Sequence, residues 1–216
     1  MESTYRKTRL HNPMRRFIVI GHRAVTTPTF KLQDIAGTGG RWDVLLRCIA
    51  ASFCLSHGLR KDTELYLVCL GGEEAPKTVR LQGEHLKHVA PDERTLATLI
   101  LKALEAPAPG LTWNASTPGI SVAARGLEDL EEVVMKGTRY VLEEGGIDVA
   151  AVDVTPDGLG GDVAFFVGDP DGFTEEEVRK IRDDWGAVQV SLGPVGLHAD
   201  HCIVLIHNWL DRARQG

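Results

Sequence analysis

The 216-residue chain has no stretch approaching about 20 uninterrupted apolar residues, so no segment reads as a transmembrane helix. Its first thirteen residues, MESTYRKTRLHNP, hold no apolar run and do not make a secretory signal. There is no CxxC pair. The four cysteines (Cys48, Cys54, Cys69, Cys202) lie in apolar surroundings, which reads as reduced, buried thiols in a cytoplasmic protein. Internal repeats and low-complexity tracts are absent. So are GxGxxG and Walker loops, which disfavours nucleotide phosphates as ligand and a dinucleotide-dependent oxidoreductase as the activity. At 43% hydrophobic and 25% charged residues, neither a disordered chain nor a membrane bundle fits.

The formal net charge of −6 speaks against a nucleic-acid partner, but it is unevenly distributed. Residues 1–60 carry ten basic and three acidic residues, a balance of +7, and residues 61–216 carry 14 and 27, a balance of −13. This split reads either as a local anion-binding surface on an acidic body or as a basic leader on an ordinary domain. Residues 14–60 keep seven basic against two acidic residues, so the asymmetry does not depend on the leader.

Along the chain, Phe17–Gly21, Glu64–Leu70, Lys77–Leu81, Ile120–Ala123, Arg139–Leu142, Val163–Val167 and Val188–Leu192 read as strands. Helices are predicted from Arg41 to His57 with Gly58 as the stop, and from Pro91-Asp92 to Leu104 with Asp92 as N-cap. Further helices fall near Leu127–Met135, from the capping box at Thr174–Glu177, and from Leu197 to Ala213. Residues 105–119 are turn-rich and read as the longest connection. The alternation predicts an α/β domain with a largely parallel sheet.

Two strand-to-helix junctions stand out, VAFFVGDPDGF (Val163–Phe173) and VQVSLGPVGLHADHC (Val188–Cys202). Ligands of open α/β sheets bind beyond the carboxyl ends of strands, and Gly168, Gly172, Gly193 and Gly196 would let backbone approach one. Glycines after strands are also ordinary turn residues. Together, however, these loops resemble the C-terminal half of the SPOUT methyltransferases. RFIVIGHRA, AGTGGRWDVLLRC, LSHGLR and PDERTLATLILKAL are similar to the archaeal tRNA pseudouridine-54 N1-methyltransferase family, and the resemblance runs from Met14 to Arg212.

This resemblance implies a SPOUT-type fold with a C-terminal trefoil knot, which periodicity cannot reveal. It covers one domain (14–216), divided into a substrate-side half (14–118) and a cofactor half (119–216); residues 1–13, ahead of Met14 and the first strand, read from the sequence as a flexible leader or as the product of an upstream start. The cofactor would be S-adenosyl-L-methionine, held by Leu142, Gly168, Leu192, Gly193, Pro194, Val195, Gly196, Leu197 and Cys202. Pro170-Asp171 departs from the His and aliphatic residue more usual in relatives, at the tip of the first loop. A homodimer is implied too, with the knot and a last helix bearing Ile203, Ile206, Trp209 and Leu210 at its interface. No metal is expected: His198 and His207 fall about 180° apart on a helix, so His198, His201, Cys202 and His207 cannot converge.

On the substrate side, Arg23, Arg41, Arg47 and Arg60 are the expected tRNA contacts, with Asp43 among them and Gly37, Gly39 and Gly40 offering amides ahead of a helix. Arg41 and Asp43 are also readable as a helix-start pair, though the resemblance favours the functional reading. The chemistry would be in-line methyl transfer to N1 of a T-loop pseudouridine, which needs alignment, loss of the N1 proton and exposure of the base. Asp43, then Asp92 or Glu93, are the candidate proton acceptors, each also a plausible helix cap. Methylation of another RNA base or of rRNA, and a non-catalytic RNA-binding module, are the alternatives.

Overall fold

The computed structural model describes residues 13–152 and 161–213, so the leader expected at 1–13 lies, but for Pro13, outside the described residues. The centre of the molecule is β1 (Arg15–Val25), whose first seven residues are all buried. Strands covered on both faces lose the polar alternation of a half-exposed strand, as RRFIVIG does. β1 pairs in parallel with β4 (Thr63–Gly71) on one side and β9 (Asp162–Gly168) on the other. β9 continues in parallel to β8 (Gly137–Asp148), and β8 to β10 (Val188–Ser191).

Beyond β4 the sheet turns antiparallel through β5 (Lys77–Gln82), β7 (Ile120–Ala123) and β6 (Asn114–Thr117). The eight-stranded order is β10-β8-β9-β1-β4-β5-β7-β6, so the expected parallel sheet is the larger part of a mixed one. Side chains alternate between two cores. Phe17, Val19, Leu65, Leu67 and Phe165 face one, with α2 (Trp42–Phe53), α3 (Glu93–Glu105) and α6 (Ala199–Ala213). Ile18, Ile20, Val68 and Phe166 face the other, with α4 (Glu131–Val134) and the segment opened by α5 (Glu175–Val178). α5 passes into a π-helical turn over Arg179–Asp184, which carries the buried Ile181.

Four expectations are corrected. The helix expected to reach His57 ends at Phe53; Cys54 is extended and starts a small hairpin of β2 (Cys54–Leu55) and β3 (Gly58–Leu59), closed by Arg60 N–H donating to the Phe53 carbonyl at 2.8 Å. The connection at 105–119 contains β6, an edge strand of small polar residues with no apolar period to betray it. The helix near Leu127–Met135 is a 3₁₀ turn (Glu128–Leu130) leading into α4. Finally, β8 runs six residues past the expected Leu142. The capping box is as expected: Glu177 N–H donates to Thr174 Oγ1 at 3.2 Å, and Thr174 N–H to Glu177 Oε2 at 2.8 Å.

Candidate active site

The carboxyl ends of β8, β9 and β10 share one edge of the sheet because the three strands are parallel. A cavity of about 760 Å³ opens between their loops. β8 supplies one wall through an irregular pairing: Gln189 of β10 faces Val141, yet the next residue, Val190, faces Ile147. Residues 142–146 are thus extra to the ladder, as in an enlarged β-bulge. This excursion puts Leu142, Glu143 and Glu144 against the cavity.

The second wall follows β9. Gly168 is packed so closely that an added Cβ would stand 3.1 Å from the Gly172 backbone. Asp169 organises the turn: its Oδ1 accepts from Asp171 N–H (2.8 Å) and its carbonyl from Gly172 N–H (2.9 Å). The third wall follows β10. Ser191 Oγ donates to the Gly193 carbonyl at 2.9 Å, and Gly193 sits at φ +132°, a conformation that L side chains rarely adopt.

Leu142, Gly168, Leu192, Gly193, Val195, Gly196, Leu197 and Cys202 all line this cavity; Pro194 is the member of the expected set that does not. Burial, with Asp200 adding to it, pushes the Cys202 thiol up to about 11, so it is a neutral apolar wall. α6 presents other side chains differently from the expectation. Ile203, Ile206 and Leu210 are buried within the chain itself, and Trp209 meets Tyr140 and Phe165 edge-on. Val204 and Leu205 are the exposed apolar residues of the helix.

Arginines stand beside the cavity, each engaged with a carboxylate. Arg23 forks onto Asp171 at 2.8 and 2.6 Å. Arg41 Nε lies 3.0 Å from Asp43, and Arg47 lies 3.3 Å from Asp43 and 3.6 Å from Asp200, next to cavity-lining Ala199. Burial works against ionisation of Asp43, but Arg41 and then Arg47 hold its carboxyl below the usual range. The glycines ahead of α2 are not an open cradle. Gly37 and Gly39 belong to α1 (Ile35–Gly39), where Gly37 N–H donates to Asp34 Oδ1 at 3.0 Å, and Gly40 donates to the Ala36 carbonyl.

Arg60 is not brought to the rim. It forks onto Asp211 at 3.1 and 2.9 Å, eleven residues along α6 from Asp200, or about 16 Å. The buried Arg15 shares Asp211 at 2.6 Å, so Arg60 serves to fasten α6. Asp92 caps α3, accepting from Thr95 N–H at 2.8 Å, and Glu93 is the first residue of that helix; neither lines the cavity. His198 and His201 meet edge-on at the cavity end of α6, whereas His207 is buried against Phe17. Among the described residues no group of three His, Cys, Asp or Glu is placed to hold a metal, and no helix is long and apolar enough to cross a membrane.

Sequence reasoning missed His22, Asp169, Glu143 and Glu144 here, and found Glu177 only as a helix cap. His22 lies past the end of the β1–β9 ladder, where Ile20 pairs with Gly168. Only the register brings it within 3.2 Å of Asp169 and 3.1 Å of Glu177.

Residues 14–215 match the family model described as "Putative SAM-dependent RNA methyltransferase". The chain is 42% identical over 196 residues to the tRNA (pseudouridine(54)-N(1))-methyltransferase of Methanocella arvoryzae, covering 91% of this chain and 97% of that protein. It is 44% identical to the enzyme of the same name from Methanocorpusculum labreanum (92% and 97%) and 43% identical to that of Haloarcula marismortui (93% and 98%). The fold resembles the crystal structure of Archaeoglobus fulgidus Nep1 bound to S-adenosylhomocysteine, with a TM-score of 0.61 at 15% identity, covering 94% of this chain and all of the other. The chain therefore belongs to the SAM-dependent RNA methyltransferase family that contains the archaeal tRNA (pseudouridine(54)-N(1))-methyltransferases.

Proposed function

We propose that this protein transfers a methyl group from S-adenosyl-L-methionine to N1 of pseudouridine 54 in the tRNA T-loop, in the cytoplasm. The observation that carries this reading is one sheet edge that joins a three-loop cavity to a rim of arginines, in a chain over 40% identical to enzymes so named. The cavity suits the cofactor in size and chemistry. Its volume is within the usual 300–1,000 Å³ for small-ligand sites. Leu142, Leu192 and Leu197 give apolar surface, the backbone of 192–197 gives hydrogen-bonding groups, and Glu143, Glu144 and Asp169 give negative charge suited to a cationic ligand.

When bound, the cofactor supplies an electrophilic methyl group on a sulfonium. The chain's own part is alignment, exclusion of water and removal of the N1 proton. Arg23, Arg41 and Arg47 would seat the RNA backbone. Asp43 is the supported proton acceptor of the three expected, since it alone stands among the rim arginines. Its two guanidinium partners weaken it as a base, so it acts best by orienting a water that accepts the proton.

The same reading divides one domain into a substrate side (14–118) and a cofactor side (119–216), with a trefoil knot in the latter. The path supports a knot: the chain leaves β9, crosses β8 to form β10, and returns through α6 to pack on α2 and β9. Exposed Val195, Leu197, Val204 and Leu205 support a homodimer built around this edge. Methyl transfer to tRNA transcripts carrying pseudouridine or uridine at position 54 tests the function. Product is expected only with pseudouridine; equal activity on uridine overturns N1 chemistry.

A further inference from the structure

His22 connects two carboxylates that would otherwise repel. Its backbone N–H donates to Asp169 Oδ2 at 2.9 Å, and ring Nδ1 lies 3.2 Å from the same oxygen. Ring Nε2 lies 3.1 Å from both oxygens of Glu177. Ionised carboxylates only accept hydrogen bonds, so both contacts are satisfied together only when both ring nitrogens carry a proton. All three side chains are largely shielded, at 20% exposure for His22, 8% for Asp169 and 13% for Glu177. Each carboxylate also has a structural duty. Asp169 organises the 169–172 turn that walls the cavity, and Glu177 closes the capping box of α5.

We propose that His22 is a positioning residue of the cofactor cavity: as an imidazolium it ties the Asp169 turn to the start of α5, and loss of its second proton loosens that wall and weakens ligand binding. Deprotonation at either nitrogen turns a lone pair toward a carboxylate and leaves two shielded negative charges without their shared cation. The other charged groups nearby do not substitute for it. Arg23, the next residue on β1, is engaged with Asp171, and Arg41 is engaged with Asp43 and acts on Asp169 only through its field. On β4, Cys69 opposite Gly21 is a buried thiol pushed upward by burial, hence neutral.

Burial disfavours the His22 charge, but Glu177 and then Asp169 outweigh it and hold the group above the usual imidazole value of about 6.5. The sign follows. The charged clamp is complete below that value and is lost as pH rises through the raised one.

The proposal rests on the reading of the cavity as a cofactor site. Calorimetric titration of the whole protein with S-adenosylhomocysteine from pH 6 to 9 tests both. Affinity is expected to be level at low pH and then to fall by as much as about tenfold per pH unit, the limit for one linked proton. His22→Gln should bind more weakly and keep only the pH dependence of the ligand's own amino group. Glu177→Gln, which keeps an acceptor and removes the charge, should move the midpoint to lower pH. In the unsubstituted protein one histidine Cε1–H resonance should titrate above the ordinary range and shift higher when ligand binds. A slope shared by the native protein and His22→Gln, or a midpoint unmoved in Glu177→Gln, overturns the role of His22. Absence of binding by the native protein at every pH overturns the cofactor reading itself and this proposal with it.

Discussion

Gly193 shows how a single residue sets the shape of the third cavity wall. At φ +132° no side chain is accommodated without strain, and a residue in such a conformation costs about 1–3 kcal/mol. In Gly193→Val the free loop should relax out of this conformation and have to be driven back to bind, so affinity for S-adenosylhomocysteine is expected to fall by up to about 150-fold, and Gly196→Val to weaken it too by displacing the Glu144 carboxylate, both read by calorimetry. Asp92 illustrates the opposite case, in which an attractive carboxylate is local architecture. Asp92→Ala removes the N-cap of α3, so it should lower the midpoint of urea unfolding and leave the methylation rate constant unaltered. Both roles were readable in the sequence, Gly193 from its loop and Asp92 from the helix it opens. His22 was not: its partners lie 147 and 155 residues away, and only strand register brings them together.

At the scale of elements, apolar periodicity located the central strands and the long helices, because burial of a continuous face is what creates that pattern. It failed where structure is made by pairing alone. β6, with its sequence NAST, is held by the β7 edge, and the five extra residues of β8 are defined by where β10 resumes its ladder. Gly146 ends that excursion, and an added Cβ would stand 2.7–2.9 Å from the Val190 and Gln189 backbone. Gly146→Val should destabilise by about 1–3 kcal/mol in urea unfolding, the common range for overpacking. α6 carries its own pH signature. Burial, then Arg60 and Arg15, depress His207 to about 3, so the unfolded chain takes up this proton first and stability declines as pH falls from about 6.5 toward 3. The contribution is present above the ordinary imidazole value and lost below it, at no more than about 1.4 kcal/mol per pH unit. His207→Gln should flatten that part of the stability curve measured by chemical denaturation.

For the whole molecule, the net charge of −6 was a poor guide to the partner because it averages over surfaces with separate tasks. Three arginines gather at one sheet edge, while a fourth, Arg60, is used to anchor α6. If the three neutralised phosphates as free cations, log affinity for tRNA would fall with log salt at a slope of about −2. They are not free, since Arg23 holds Asp171 and Arg41 and Arg47 hold Asp43 and Asp200. The slope measured by filter binding should accordingly be shallower than about −2, and Asp171→Asn should both tighten binding and steepen it. These aspartates would then act as built-in counter-ions: a phosphate arriving at the rim would displace a tethered carboxylate, which takes up a cation that the RNA backbone gives up, so fewer ions are released overall. Selectivity would lie in that exchange, because a loosely fitting polyanion displaces few tethered acids at once, and recognition would be less sensitive to the ionic strength around it.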